Sequence, residues 1–212
     1  MELADRIELR RFVGRELLLW LWFESELFEA TLATKEHGAF GLWLEGRLVL
    51  SEGREVTTIR GSAPGHHREA KESLRRGKLP ELCGLHLSWA DHESTFVLKG
   101  ESLGIASLVL PTVLSADEEP AAEPLAPPPR RKRKAEAAPD EQHEAFYERM
   151  RLTRQIEEIV EALYRDFLAL RLGPAWEDAV LPALRAWVSG DEVDAASYRA
   201  ARDQALGRRR AR

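Results

Sequence analysis

Hydrophobic and polar positions divide the chain into three kinds of pattern. From Phe12, or from as early as Ala4, to Leu32 the residues are rich in Leu, Glu and Arg and include no proline, which predicts a helix. Its centre, Leu17 to Phe23, is apolar on every side. Trp20 and Trp22 lie two positions apart, about 200° around a helix, so they point to nearly opposite sides and both need cover. A sheet on one side and other elements on the opposite side would supply it.

Period-two alternation begins after His37-Gly38. Phe40, Leu42 and Leu44 share one face, Glu45-Gly46 reads as a turn, and Leu48 with Leu50 continues as the return strand of a hairpin. Glu55 to Arg60 reads as a third strand. The segment His66 to Gly77 has the pattern of a short surface helix around Ala70 and Leu74, with Gly77 as its stop. Leu85, Leu87 and Trp89 then alternate inward, Ala90 to Ser94 turns, and Phe96 with Leu98 returns. Ile105 to Leu110 reads as a last strand before Pro111.

The third pattern is helical. Ile156, Ile159, Val160, Leu163, Phe167 and Leu170 fall on one face of a helix from Gln142 to Leu172, with Arg154/Glu158 and Glu161/Arg165 as i, i+4 pairs on the outside. Gly173 stops it and Pro174 starts the next, whose stripe is Trp176, Val180, Leu184 and Trp187, with a break or kink at Pro182. A third helix, from about Asp194 to Leu206, precedes an arginine tail. The expected fold class is α+β: an N-terminal helix packed on a small antiparallel sheet, followed by a flexible linker and a C-terminal helical hairpin.

Composition locates the linker. Six of the eleven prolines lie between Ser115 and Asp140, a stretch with no aromatic residue, an acidic block at Asp117 to Glu119 and a basic block at Arg130 to Lys134. The expected organisation is therefore an α+β domain over 1–114, a disordered Pro-rich charged linker over 115–140, and a helical region with a basic tail over 141–212.

Charge and residue chemistry narrow the function. The longest apolar run has seven residues, far short of the ~20 that cross a bilayer, and the charged N-terminus does not resemble a signal peptide. A cytoplasmic protein without a membrane partner is expected. The single Cys83 excludes an intramolecular disulfide and a thiolate metal cluster, and its place near a strand start predicts a buried, inert thiol. His66-His67 reads as solvated loop. His86 points to the outer sheet face, while Asp91 and His92 belong to a turn, so neither grouping builds a metal site. No phosphate-cradling glycine loop, nucleophile elbow or His-Glu-x-x-His helix is present. The expectation is a non-enzyme with no cofactor.

Two basic clusters remain. Arg130, Arg131, Lys132, Arg133 and Lys134 form one; Arg208, Arg209, Arg210 and Arg212 form the other. Exposed and mobile, both suit DNA phosphates, or equally a solubilising linker and tail, given the acidic flanks and a net charge of −5. Trp20, Trp22, Phe23, Trp89, Phe167 and Trp187 lie in apolar stripes and are read as core or interface residues rather than base-stacking platforms.

The run Gly14-Arg15-Glu16-Leu17-Leu18-Leu19-Trp20-Leu21-Trp22-Phe23-Glu24-Ser25-Glu26 resembles a segment in the C-terminal half of RdgC-like recombination-associated proteins of bacteria. The order that follows is similar too: Trp43 to Leu48, Arg68 to Lys78, a Trp-bearing hairpin, and Phe146 to Leu172 ahead of Trp176-Glu177. The resemblance implies a non-enzymatic, DNA-associated, nucleoid-located accessory protein that modulates a recombinase. The acidic block Asp117 to Glu119 and the net charge of −5 make the expected DNA binding weak, and a flexible basic run makes it indifferent to sequence. The resemblance covers only that family's C-terminal half, which implies a separate polypeptide supplying the other. A homodimer is a further expectation, from the cover that Trp20 and Trp22 need. The alternative is a protein-interaction module, or family remnant, without DNA binding.

Overall fold

The computed structural model describes the backbone of residues 3–111 and 139–208, and the side chains of 13–111 and 143–208. The basic block Arg130 to Lys134, most of the expected linker, and Arg209, Arg210 and Arg212 lie outside the described residues.

Helix α1 (Leu3–Leu27) leads into a six-stranded antiparallel sheet of β1 (Thr31–Thr34), β2 (Gly38–Glu52), β3 (Glu55–Gly61), β4 (Leu79–Trp89), β5 (His92–Lys99) and β6 (Ile105–Val109). The order is β1-β2-β4-β5-β6, and β3 shares with β1 the edge of β2 that faces away from β4. Helix α2 (Arg68–Arg75) sits in the β3–β4 connection and ends at Gly77, whose φ is +90°. Helices α3 (Pro139–Arg171), α4 (Leu181–Ser189) and α5 (Ala195–Ala205) follow. The α+β architecture agrees with the sequence reading.

Two elements differ from expectation. Helix α1 ends at Leu27, five residues early, because Glu29 and Ala30 adopt positive φ of 49° and 63° and the Ala30 amide bonds the Ser25 carbonyl at 2.7 Å. This is the 6→1 closure that stops helices, and it frees Thr31–Thr34 to become an edge strand. The expected hairpin at Glu45-Gly46 is instead a bulge within one continuous β2. Leu44 pairs with Leu85 and Leu48 with Cys83, so β2 spends four steps where β4 spends two. Two extra residues preserve parity, and Phe40, Leu42, Leu44, Leu48 and Leu50 all stay on the buried face. Gly84 makes room for the bulge, since a Cβ there would lie 2.1 Å from the Glu45 carbonyl oxygen.

The core is built around α1. One side packs on β4 and β2, and the other meets α3 and α4. Trp20 lies against Phe167 at 5.8 Å between centroids, Trp22 meets Trp187 edge-on at 5.1 Å, and Phe23 meets Tyr198 edge-on at 5.1 Å. Trp20, Trp22, Phe23, Trp89 and Phe167 are buried, and Trp187 is half-buried. The cover that suggested a second copy thus comes from the chain's own C-terminal helices. Pro182 is accommodated by a π-turn, Trp176–Val180, immediately before α4.

Candidate functional site

Alternation along the strands leaves one sheet face turned away from α1. Arg47 of β2 and Arg60 of β3 are direct cross-strand partners, both exposed, and among the described residues neither has a hydrogen-bond or ion-pair partner for its side chain. Like charges in that position repel and weaken the strand pair. In the next row, Val49 pairs with Leu82 and Leu82 with Lys99. A cleft of about 420 Å³ lies here, lined by the cations Arg15, Arg47 and Lys99 together with Glu81 and Glu101. Arg15 reaches it from α1, donating to the Ser51 hydroxyl at 3.0 Å and the Leu79 carbonyl at 3.1 Å. Three cations against two carboxylates, with Arg60 alongside, give this part of the face an excess of positive charge.

Beyond the bulge the same face changes sign. The His86 ring stacks on Trp43 at 4.0 Å, its Nδ1 lies 2.6 Å from Glu45, and its Nε2 lies 3.8 Å from Glu93. His86 therefore occupies the outer face, as its alternation with Leu85 and Leu87 predicts. His92 packs against Trp89 at 5.6 Å. Among the described residues no three His, Cys, Asp or Glu side chains converge as metal ligands. Cys83 is buried and burial pushes its thiol pKa up, which leaves it an unreactive neutral group at physiological pH.

A second cluster joins α1, α2 and α4. Glu26 accepts from the Trp22 indole at 2.5 Å, the Trp187 indole at 2.8 Å and the Lys71 ammonium at 2.7 Å. Lys71 also lies 3.1 Å from the centre of the Trp187 ring. Gly65 closes one side, where a Cβ would sit 2.4 Å from the Trp22 indole nitrogen. Only the i, i+4 spacing of Trp22 and Glu26 hinted at this cluster in the sequence.

Burial pushes the Lys71 ammonium from its ordinary 10.5 down to about 8, against the opposing pull of Glu26. Between those values the unfolded chain keeps a proton that the folded chain has released, so stability rises with pH across that window. A rise of at most about 3 kcal/mol is expected in the parent, beyond that of Lys71→Met. Lysine-selective NMR titration should place the Lys71 midpoint near 8. A midpoint above 10 would show the cage to be open to water.

The arginine tail is partly engaged. Arg208, expected to be mobile and exposed, instead bonds Asp166 and lies 4.0 Å from Asp203, with only 16% of its side chain exposed. Carboxylates of α3 and α5 thus draw it into the body of the fold.

Comparison with protein-family models, curated proteins and solved structures found no match. The likeness to RdgC-like proteins rests on the sequence motifs alone.

Proposed function

We propose that this protein is a non-enzymatic DNA-associated accessory protein, nucleoid-located in a bacterial cytoplasm, that holds duplex DNA weakly through its phosphates and acts beside a recombinase. The observation that carries this reading is the unpaired, exposed Arg47–Arg60 couple at the cleft that Arg15 and Lys99 also line, four cations in all. Polyanion binding would relieve their repulsion, and the block Arg130 to Lys134 adds five charges. Phosphate contacts of this kind position a protein without reading sequence.

Filter binding against salt tests it. Five neutralised linker charges imply a slope of log affinity on log salt of roughly −4 to −5. The Arg47–Arg60 couple adds about −2 to that in the parent, so replacing Arg130 to Lys134 by Ala should leave a slope of about −2, and Arg47→Ala with Arg60→Ala should reduce the parent's magnitude by about 2. No retention at low salt, or an unchanged slope in both variants, would defeat the reading.

The second reading, a protein-interaction module, is favoured by Phe146, Tyr147 and Met150 on α3, which are 56%, 68% and 55% exposed. Retention of a recombinase without DNA, lost in Phe146→Ser with Met150→Ser, would favour it over the first. Among the described residues no helix is long and apolar enough to cross a membrane.

A further inference from the structure

We propose that the groove between α1, α2 and α4 binds a long-chain carboxylate, with the alkyl chain along its apolar floor and the acid group at Arg185. The groove has a volume of about 600 Å³, within the range of small-molecule sites. Leu74, Trp176 and Leu184, all buried, line its base, and Leu19, Leu79 and Val188 are half-buried along it. It shares no residue with the cationic cleft on the sheet, so the inference stands apart from the nucleic-acid reading.

The local sequence explains the groove. Pro174 and Pro182 bracket the π-turn Trp176–Val180, and a π-turn carries an extra residue that offsets the helix before α4 begins. Trp176 is fixed at the base by Phe167, edge-on at 5.7 Å, and by the Arg171 guanidinium 4.9 Å from its ring centre. Leu181, Leu184, Arg185 and Val188 then follow at i, i+3, i+4 and i+7, which places three apolar side chains and one cation along the same side of α4.

Charge selects the ligand's sign. The one acid in the lining, Glu16, accepts from Arg171 at 2.9 Å and is neutralised. Arg75 donates to the last carbonyls of α4, Val188 and Ser189, at 2.9 Å each, which cancels the negative end of that helix dipole and leaves the arginine charge beside the groove. Arg185 is exposed and, among the described residues, has no hydrogen-bond or ion-pair partner. An apolar trough with a single available cation fits a molecule with an apolar body and one anionic end. An ammonium amphiphile would meet Arg185 and Arg75 as like charges.

Isothermal titration of the full-length protein with octanoate, decanoate and dodecanoate, each below its micelle concentration, tests this directly. Each added methylene should raise affinity about threefold to fourfold as it enters the groove. Arg185→Glu should weaken dodecanoate at least tenfold and strengthen dodecylammonium, whereas Arg185→Lys should stay within about threefold of the parent. The exposed, unpaired position of Arg185 keeps the fold out of the comparison, and far-UV circular dichroism verifies that. Absence of dodecanoate binding, affinity independent of chain length, or equal binding of dodecylammonium by the parent would each overturn the proposal. An acidic amphipathic peptide that binds where dodecanoate does not would assign the groove to a protein partner instead.

Discussion

Replacing Arg202 by Ala is expected to destabilise the protein by about 3–5 kcal/mol at neutral pH, the range for removing one member of a buried ion pair. Glu24 lies in the last turn of α1 with no exposed surface. One carboxylate oxygen accepts from the Tyr198 hydroxyl at 2.5 Å and the other from Arg202, while the Trp20 indole donates to Tyr198 at 3.2 Å. The groups that meet Glu24 directly, Tyr198 and Arg202, both lie on α5, and Arg202 also donates to Asp203 at 3.1 and 2.9 Å. Without Arg202 the carboxylate keeps one donor in an apolar core.

Burial already pushes the Glu24 carboxyl above its ordinary value, against Arg202 and Tyr198, and the substitution removes the largest opposing influence. A folded-state pKa above the unfolded one means that stability falls as pH rises between the two. The loss in Arg202→Ala should therefore shrink as the solution is acidified towards pH 5. Urea unfolding at pH 7 and at pH 5 measures both effects. A second variant separates the cost of an orphaned charge from the worth of the pair. Glu24→Met with Arg202→Met removes both charges and should recover most of the loss, because hydrophobic replacement of a buried pair is often neutral or stabilising. If the double variant is as unstable as Arg202→Ala, the pair contributes through geometry that Met cannot imitate.

What the sequence made legible was what its local signals determine. Gly77 after a short amphipathic stretch and Asp194 ahead of an Ala-rich run each mark a boundary by residue chemistry, whereas the turn expected over Ala90 to Ser94 shortens to Ala90 and Asp91, because His92 already pairs with Trp89 as the first residue of β5. In the structure Asp194 caps α5 through the Ala196 and Ser197 amides, at 3.1 and 3.0 Å. The errors fall where that chemistry is missing or ambiguous. Glu29, rather than Gly, takes the positive φ that ends α1, so nothing in the letters announced the stop. The bulge in β2 places Leu44 and Leu48 on one face, as a tight hairpin would, and only the pairing with β4 distinguishes the two. Glu24 and Arg202 are 178 positions apart, and Lys71 and Glu26 are 45 apart. Charge clusters of that kind belong to tertiary packing, which no periodicity encodes. The same reason hid the ion pair of Arg208 and the groove beside the π-turn. The cation pair of Arg47 and Arg60 needed the β2–β3 register, so the basic blocks read from the sequence and the basic face read from the structure are different residues.

Trp20→Ala should cost about 3–5 kcal/mol, because removing a large buried ring forfeits its transfer free energy and leaves a cavity the surroundings fill only in part. Trp20 is 2% exposed, and it stands where α1 meets the C-terminal helices: its ring lies against Phe167 of α3 and its indole nitrogen donates to Tyr198 of α5. The substitution therefore weakens helix docking as well as the core. Trp20→Phe retains a ring against Phe167 and gives up the indole donor and part of the volume, so it should cost less. Trp43 provides a contrast on the outer sheet face, where it is half-buried and stacks on His86. Trp43→Ala leaves no sealed cavity there and should cost well under half as much as Trp20→Ala. Urea midpoints compared at constant m-value give the three numbers. A loss below about 1 kcal/mol for Trp20→Ala would mean that the ring is not enclosed between α1 and the C-terminal helices, since an enclosed Trp cannot be deleted that cheaply.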